Sequence, residues 1–286
     1  VIIFVVRKQV LCHYFNELSF LSCTKKKITA LTVTALASFA LLGCNSDSDN
    51  GTESSNVNTG DTLILTANGM ISSVDRSMPD KVVSNRKIKG LMSGDELVGI
   101  DYRPKDGKLY AVGLQGNLYT LNPNNGEAIF LRKLIADPSD TIDGNASFTQ
   151  IIGDANLITV NFNPAADRLR VISNTGQNLR INVDTGATIT DGTINLATGT
   201  AAVVAGAYTN AFAGTGSTKL YSIDQNSDRI YLQNANAGTL GNSTALGADI
   251  NTNGGGGFDI DPVSNVGFAA LKLASGNYKF FKLNKL

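Results

Sequence analysis

Tryptophan is absent from this chain of 286 residues, histidine occurs once (His13), and the three cysteines are Cys12, Cys23 and Cys44. Everything beyond Cys44 therefore lacks an imidazole base, a thiolate, a disulfide and the usual ligands of zinc or copper. Glutamate is nearly missing there too, with only Glu53, Glu96 and Glu127. A Ser-His-Asp arrangement is excluded, no spacing singles out a Ser-Lys pair, and any chemistry falls to Asp, Lys, Tyr, Ser and a few Arg. Net charge is lacking as well. The 24 basic residues balance 24 acidic ones, with a pI near 6.8. That argues against a nucleic-acid partner, because phosphate binding needs a clustered positive field. No run after Cys44 is apolar for long enough to cross a bilayer as a helix. Proline is scarce (6) and glycine abundant (29), a profile of short strands joined by tight turns rather than long helices.

The segment Lys25 to Cys44, KKKITALTVTALASFALLGC, is built like a secretory signal. Three lysines lead an apolar run from Ile28 to Leu42 that is short for a membrane span, with small residues at its end. Leu41-Leu42-Gly43-Cys44 resembles the bacterial lipobox, which implies cleavage before Cys44 and acylation, palmitate included, of that cysteine. Asn45 stands where inner-membrane lipoproteins usually carry aspartate, so the expected address is the outer membrane of a Gram-negative envelope. Residues 25–43 are thus expected to be a signal peptide. Residues 1–24 place a second apolar run ahead of the lysines and are expected to be an over-extended reading frame, with initiation near Leu18 or Leu21. A genuine N-terminal anchor is the alternative. Residues 44–60, polar and poor in apolar side chains, read as a disordered tether.

From Asp61 onward the chain repeats itself loosely, which assigns residues 61–286 to one domain. Laying Leu97 to Leu131 over Leu157 to Thr190 puts Ile100-Asp101-Tyr102 on Val160-Asn161-Phe162, Pro104 on Pro164, Leu109 on Leu169 and Gly126 on Gly186. Gly257 to Asn284 repeats the opening with Phe258-Asp259-Ile260 and Pro262. Ala207 to Gly247 is a divergent copy, and Thr62 to Ile88 a partial one. Each unit reads as short alternating strands with turns between them. Units of about 40–50 residues built from four strands predict an all-β fold, a β-propeller of about five four-stranded blades. A six-bladed or irregular ring is the nearer alternative. A β-sandwich explains the alternation but not the repeat. A first unit that begins late and a last one that stops after three strands predict that the two ends share a blade.

The blocks LVGIDYRP, FNPAADRLRVISNTGQNLRINVDTG, LYSID and GFDID together resemble a bacterial family of unknown function, numbered four-three-nine-four, found in secreted and envelope proteins. The resemblance spans nearly all of residues 61–286. Val160-Asn161 stands where Gly-Asp is common in the family. The resemblance implies a propeller-like fold and carries no activity and no catalytic residues.

Three arginines crowd the block Asp167 to Asn182. Alternation puts Leu169 and Val171 on one face and Arg168 and Arg170 on the other. After the turn, Arg180 returns to the side of Arg170. Blades cover both faces of a sheet, so these guanidinium groups need anions or carbonyls to meet them. The expected reading is an interblade Arg–Asp network, with Asp101 or Asp259 as partners and Asp167, Asp184 and Asp224 at turns. The alternative makes Arg168, Arg170 and Arg180 a pocket for a carboxylate, sulfate or phosphate.

Asp101, Asn161 and Asp259 occupy equivalent places on strands that line the axis in many propellers. With Glu96 nearby they form a candidate set of oxygen ligands for calcium, the alternative being that they cap turns or pair with the arginines. Asp137, Asp140 and Asp143 stand three apart, whereas an EF-type loop needs ligands two apart, so Asp137 to Ser147 reads as an insertion between blades. Gly254 to Gly257 lacks the Lys-Ser/Thr and the helix of a phosphate loop and reads as a link into a strand. Two classes of function stay open. The first, towards which the composition leans, is a non-catalytic, lipid-anchored binding module for a protein, glycan or small ligand. The second is a calcium-assisted hydrolase or lyase at the axis.

Overall fold

The computed structural model describes the backbone of residues 4–7 and, in full, residues 59–140, 146–250, 254–284 and 286. Cys44, the proposed signal, Asp143 and almost all of the proposed tether lie outside the described residues. Among the described residues five sheets follow one another in chain order, antiparallel throughout except where one short edge strand joins in parallel. The first blade holds β1 (Phe4–Arg7), β2 (Thr62–Thr66), β3 (Met70–Asp75) and β4 (Met78–Lys87). The second holds β5 (Leu97–Tyr102), β6 (Leu109–Gly113), β7 (Asn117–Asn122) and β8 (Glu127–Lys133). A short strand β9 (Ile135–Ala136) then joins the outer edge of the third blade, formed by β10 (Ile158–Asn163), β11 (Arg168–Ser173), β12 (Asn178–Ile181) and β13 (Ala187–Thr190). The fourth holds β14 (Val203–Tyr208), β15 (Leu220–Asp224), β16 (Arg229–Gln233) and β17 (Leu240–Ala245). The fifth has three strands, β18 (Gly256–Ile260), β19 (Gly267–Lys272) and β20 (Tyr278–Leu283).

This is the five-bladed β-propeller that the repeat predicts. The strands β1, β5, β10, β14 and β18 touch in succession around the axis. The two ends do not share a sheet: β18–β20 form their own, and the inner strand of the first blade is β1, which pairs antiparallel with β2 through Phe4↔Leu65 to Arg7↔Thr62. A three-strand count at one end of the sequence could not tell a shared blade from a short one.

Four hydrophobic clusters lie between neighbouring sheets rather than inside one. Val98, Tyr110 and Val112 of the second blade meet Ile158, Val160 and Phe162 of the third. Ile172 of the third meets Val203, Tyr208 and Leu220 of the fourth. A sheet covered on both faces needs apolar side chains on both, which is why β6 and β14 are buried at every position. The outer strands β4 and β8 are largely exposed.

A backbone latch sets the spacing of the blades. In the turn Asn182–Gly186, the Asn182 side-chain oxygen accepts the Asp184 N–H at 3.0 Å, and the Gly186 N–H closes on the Asn182 carbonyl at 2.7 Å. Gly186 has φ 82°, and its carbonyl accepts the Ile135 N–H at the edge of the sheet at 3.0 Å. A Cβ there would stand 2.6 Å from the Lys133 carbonyl oxygen, so both the dihedral and the close approach require glycine. Asn122–Gly126 repeats the arrangement and Asn234–Gly238 its main-chain part, with the Gly126 and Gly238 carbonyls accepting the Lys89 and Asn195 N–H groups.

Candidate functional site

The arginine-rich hairpin, β11 and β12 of the third blade, turns Arg170 towards the fourth. Arg170 and Arg180 are directly opposite each other on β11 and β12, as alternation predicts. Arg170 is 3% exposed and engages four of its five N–H groups: it donates to Asp191 at 2.5 Å, Asn178 at 3.0 Å, the Tyr208 hydroxyl at 3.3 Å and Asn236 at 2.9 Å. Tyr208 and Asn236 belong to the fourth blade, so this side chain clips two sheets together. Arg180, partly exposed, forks onto the same Asp191 with two bonds of 3.0 Å. The Asp191 carboxylate holds its guanidinium pKa above the ordinary value despite desolvation. Arg168 points elsewhere and donates to the Ala166 and Asp167 carbonyls. Of the three arginines, only Arg170 and Arg180 form one centre.

The partner expected for that centre was Asp101 or Asp259. It is Asp191, on the turn that leaves β13. The repeat drew attention to acids on inner strands, whereas the carboxylate that an arginine in the middle of a sheet can reach lies on its own outer connection.

The most heavily paired arginine is one the sequence reading passed over. Arg103, which follows β5, is 4% exposed and grips two carboxylates of the third blade. It holds Asp167 at 2.7 and 2.6 Å and Asp184 at 2.7 and 2.8 Å. Asp106 and the Tyr110 hydroxyl complete the shell at 3.4 and 3.3 Å. The bonds to Asp167 and Asp184 drive the guanidinium pKa far up, and the same contacts hold both aspartates below the usual carboxylate range. The available signal was its place immediately before Pro104, with Asp167 at the matching turn of the next unit.

Asp101 and Asn161 perform one repeated task. The Asp101 carboxylate accepts the Phe162 N–H at 2.6 Å and the Tyr102 N–H at 2.8 Å, and the Asn161 side-chain oxygen accepts the Tyr208 N–H at 2.9 Å. Each thereby ties its inner strand to the next. Asp259 accepts the Ile260 N–H at 2.8 Å. Burial, reinforced by the negative charge of Asp259, pushes the Asp101 carboxyl well above the usual range, while the two N–H donors oppose this. Burial also pushes the Tyr102 hydroxyl up to about 12.

Asp101 and Asp259 line a cavity of about 20 Å³ together with Pro104, Ala211 and Pro262, room for about one water. Asn161 does not line it. Glu96 lies before the far end of β5, roughly 16 Å along the strand from Asp101 at ~3.3 Å per residue. Among the described residues no three His, Cys, Asp or Glu side chains are grouped to hold a metal. The oxygens that calcium would need at Asp101 and Asn161 already accept backbone N–H groups. Within the Asp137 to Ser147 insertion, Asp140 accepts the Thr190 N–H at 3.0 Å and Asp137 caps Ser139.

Open grooves occur instead at the ends of blades. One, of about 590 Å³, lies at the end of the fourth blade against Lys219, Gln233, Asn234 and Asn242. Another, of about 380 Å³, takes the matching place in the second blade against Lys108, Leu121, Asn122 and Glu127. Turn residues taken singly give no concavity, so nothing in the sequence marks these grooves.

Residues 70–285 match the family described as Domain of unknown function (DUF4394), and the chain belongs to that family. None of the curated proteins matches it. Among solved structures, glutaminyl cyclase of Myxococcus xanthus is similar at 13% identity and a TM-score of 0.47, over 77% of this chain and 85% of that one. A β-propeller domain from Myceliophteria thermophila is similar at 12% identity and a TM-score of 0.43, over 79% of this chain and 66% of that one. A chain of a mitotic checkpoint complex gives 14% and 0.40, over 78% and 61%. Likeness at this level carries no statement about activity.

Proposed function

We propose that this protein is a lipid-anchored component of the bacterial envelope whose propeller serves as a binding or scaffold module rather than as an enzyme. The observation that carries the reading is the fate of the charged side chains. Arg103 with Asp167 and Asp184, and Arg170 through Tyr208 and Asn236, are spent on joining blades, Arg180 and Asp191 pair within the third blade, and Asp101 and Asn161 hold backbone N–H groups. A catalytic group needs a free lone pair or proton within reach of a substrate, and the cavity over Asp101 has room for a water only. Recognition falls to the blade-end grooves, whose volumes lie in the range of about 300–1,000 Å³ typical of ligand sites. The address rests on the lipobox-like end at Cys44 and the polar stretch after it.

Two measurements test the parts separately. Cys44→Ser should release the protein from membranes or leave it held by uncut signal; a variant that matures normally and stays lipid-anchored overturns the address. Purified protein should carry no stoichiometric calcium and show no calcium-dependent melting shift. Bound calcium together with hydrolase or lyase turnover overturns the binding-module reading.

A further inference from the structure

We infer that the groove at the end of the fourth blade is a saccharide site that prefers a carboxylate-bearing sugar, an inference that rests on the binding-module reading. The groove is shaped by an irregularity that its second-blade counterpart does not have at this place. Tyr231 pairs with Ser243 and Gln233 with Leu240, so Gly241 and Asn242 together stand opposite Leu232 alone. A bulge of this kind re-aims side chains and bends the strand away from its partner. Here it puts Gly241 and Asn242 on the groove wall, and the groove is the larger of the two.

The lining chemistry is amide, hydroxyl and one ammonium: Asn163, Thr218, Lys219, Asn234, Thr239 and Asn242. No carboxylate lines it, whereas Glu127 lines the second-blade groove. The Asn163 and Asn234 oxygens and the Thr218 hydroxyl already serve backbone groups, so the remaining amide N–H groups, Thr239 and Asn242 are what meets sugar hydroxyls. Lys219, exposed at the rim, adds a point charge for an anion.

Gln233 also lines the groove; it is 4% exposed, and its Oε1 accepts the Ser222 hydroxyl at 2.6 Å. A peptide relying on apolar anchors finds few here, since Leu220 is buried and Leu232 is the only large apolar side chain of the lining with open surface.

The test titrates the purified full chain with digalacturonic acid and, separately, with the neutral disaccharide cellobiose, following amide chemical shifts and heat. Saturable binding of digalacturonic acid is expected, with cellobiose weaker by about fivefold or more, a difference of roughly 1 kcal/mol. Lys219→Glu and Asn242→Asp, both on exposed positions, should weaken digalacturonic acid at least tenfold while leaving the melting temperature of the free protein unchanged. No saturation by either sugar up to about 10 mM, ten times a weak Kd of ~1 mM, overturns the proposal. So does binding that ignores both substitutions. Saturable binding of an acidic peptide in place of the sugars would overturn the saccharide assignment and leave the binding-module reading standing. Calcium-dependent turnover would instead remove that reading itself.

Discussion

The two charged joints on either side of the third blade are built with opposite stoichiometry. Between the second and third blades one guanidinium, Arg103, holds two carboxylates, Asp167 and Asp184. On the side of the third blade that faces the fourth, one carboxylate, Asp191, holds two guanidinium groups, Arg170 and Arg180, and Arg170 reaches across to Tyr208 and Asn236. In both, the hub is buried at 4% exposure, and one satellite is open to solvent: Asp184 at 55% in the first joint, Arg180 at 30% in the second. The hub carries the stability because its loss strands two like charges at close range. A satellite, once removed, leaves a balanced pair behind.

The largest expected effect follows from removing a hub. Arg103→Ala leaves Asp167 and Asp184 facing each other across the joint and should cost about 3–5 kcal/mol, the range for breaking a buried pair. At roughly 2–4 °C per kcal/mol for a domain of this size the melting temperature falls by about 10 °C. Asp191→Asn should come close, because Arg170 stays buried, although Asn178, Asn236 and Tyr208 keep three of its bonds. Differential scanning calorimetry on both variants checks the ranking. A drop below about 1 kcal/mol for Arg103→Ala would break the hub argument.

Removing a satellite should cost less, and unequally. Arg180→Ala loses a two-pronged charged hydrogen bond, about 1.5–3 kcal/mol. Asp184→Ala, mostly solvated, should cost under about 1 kcal/mol. If Asp184→Ala proves worse than Arg180→Ala, exposure is not what separates the satellites.

Acid should separate the joints next. Asp167 and Asp184 have pKa values depressed by Arg103, so their stabilisation is present above the unfolded carboxylate pKa and is lost as pH falls through the folded values. Asp101 is raised, chiefly by burial, so its contribution has the opposite sign: it favours the folded state below the unfolded pKa and weakens as pH rises through the folded one. Melts from pH 7 down to about 3 should therefore show a loss of stability in the native chain that is smaller in Arg103→Ala. Equal acid sensitivity in the two proteins would place the titrating carboxylates elsewhere.

The smallest effect concerns anions. Sulfate or citrate should raise the melting temperature of Asp191→Asn by a few degrees and that of the native chain by less, since an anion replaces the missing hub between Arg170 and Arg180. A larger rise in the native chain would restore this hairpin as a ligand pocket.

Much of the architecture was legible in the sequence because a propeller repeats its punctuation. The matched Pro104 and Pro164, the matched Gly126 and Gly186, and the alternation around Leu169 and Leu179 carried the blade length and the placing of Arg170 opposite Arg180. The joints were half legible. That buried arginines need carboxylates follows from electrostatics alone, but which carboxylate depends on turns whose direction the sequence does not show. Asp191 was overlooked for that reason, and so was Arg103, which belongs to no alternating strand. The bulge at Gly241 and Asn242 and the groove beside it depend on a one-residue slip in pairing. No periodicity announces such a slip.

The latch at Asn182–Gly186 and its two counterparts makes the blades interchangeable parts. Its Gly-carbonyl bonds between neighbours are main-chain to main-chain, so it asks of a sequence only an asparagine, a glycine four residues on, and strands of suitable length. Outside the charged joints and the apolar clusters between sheets, side chains of the unit are free to change without disturbing this bond. That freedom accounts for a fourth unit so unlike its neighbours in sequence and so like them in fold. It also makes the outward end of each blade a place where new recognition can arise without renegotiating the ring.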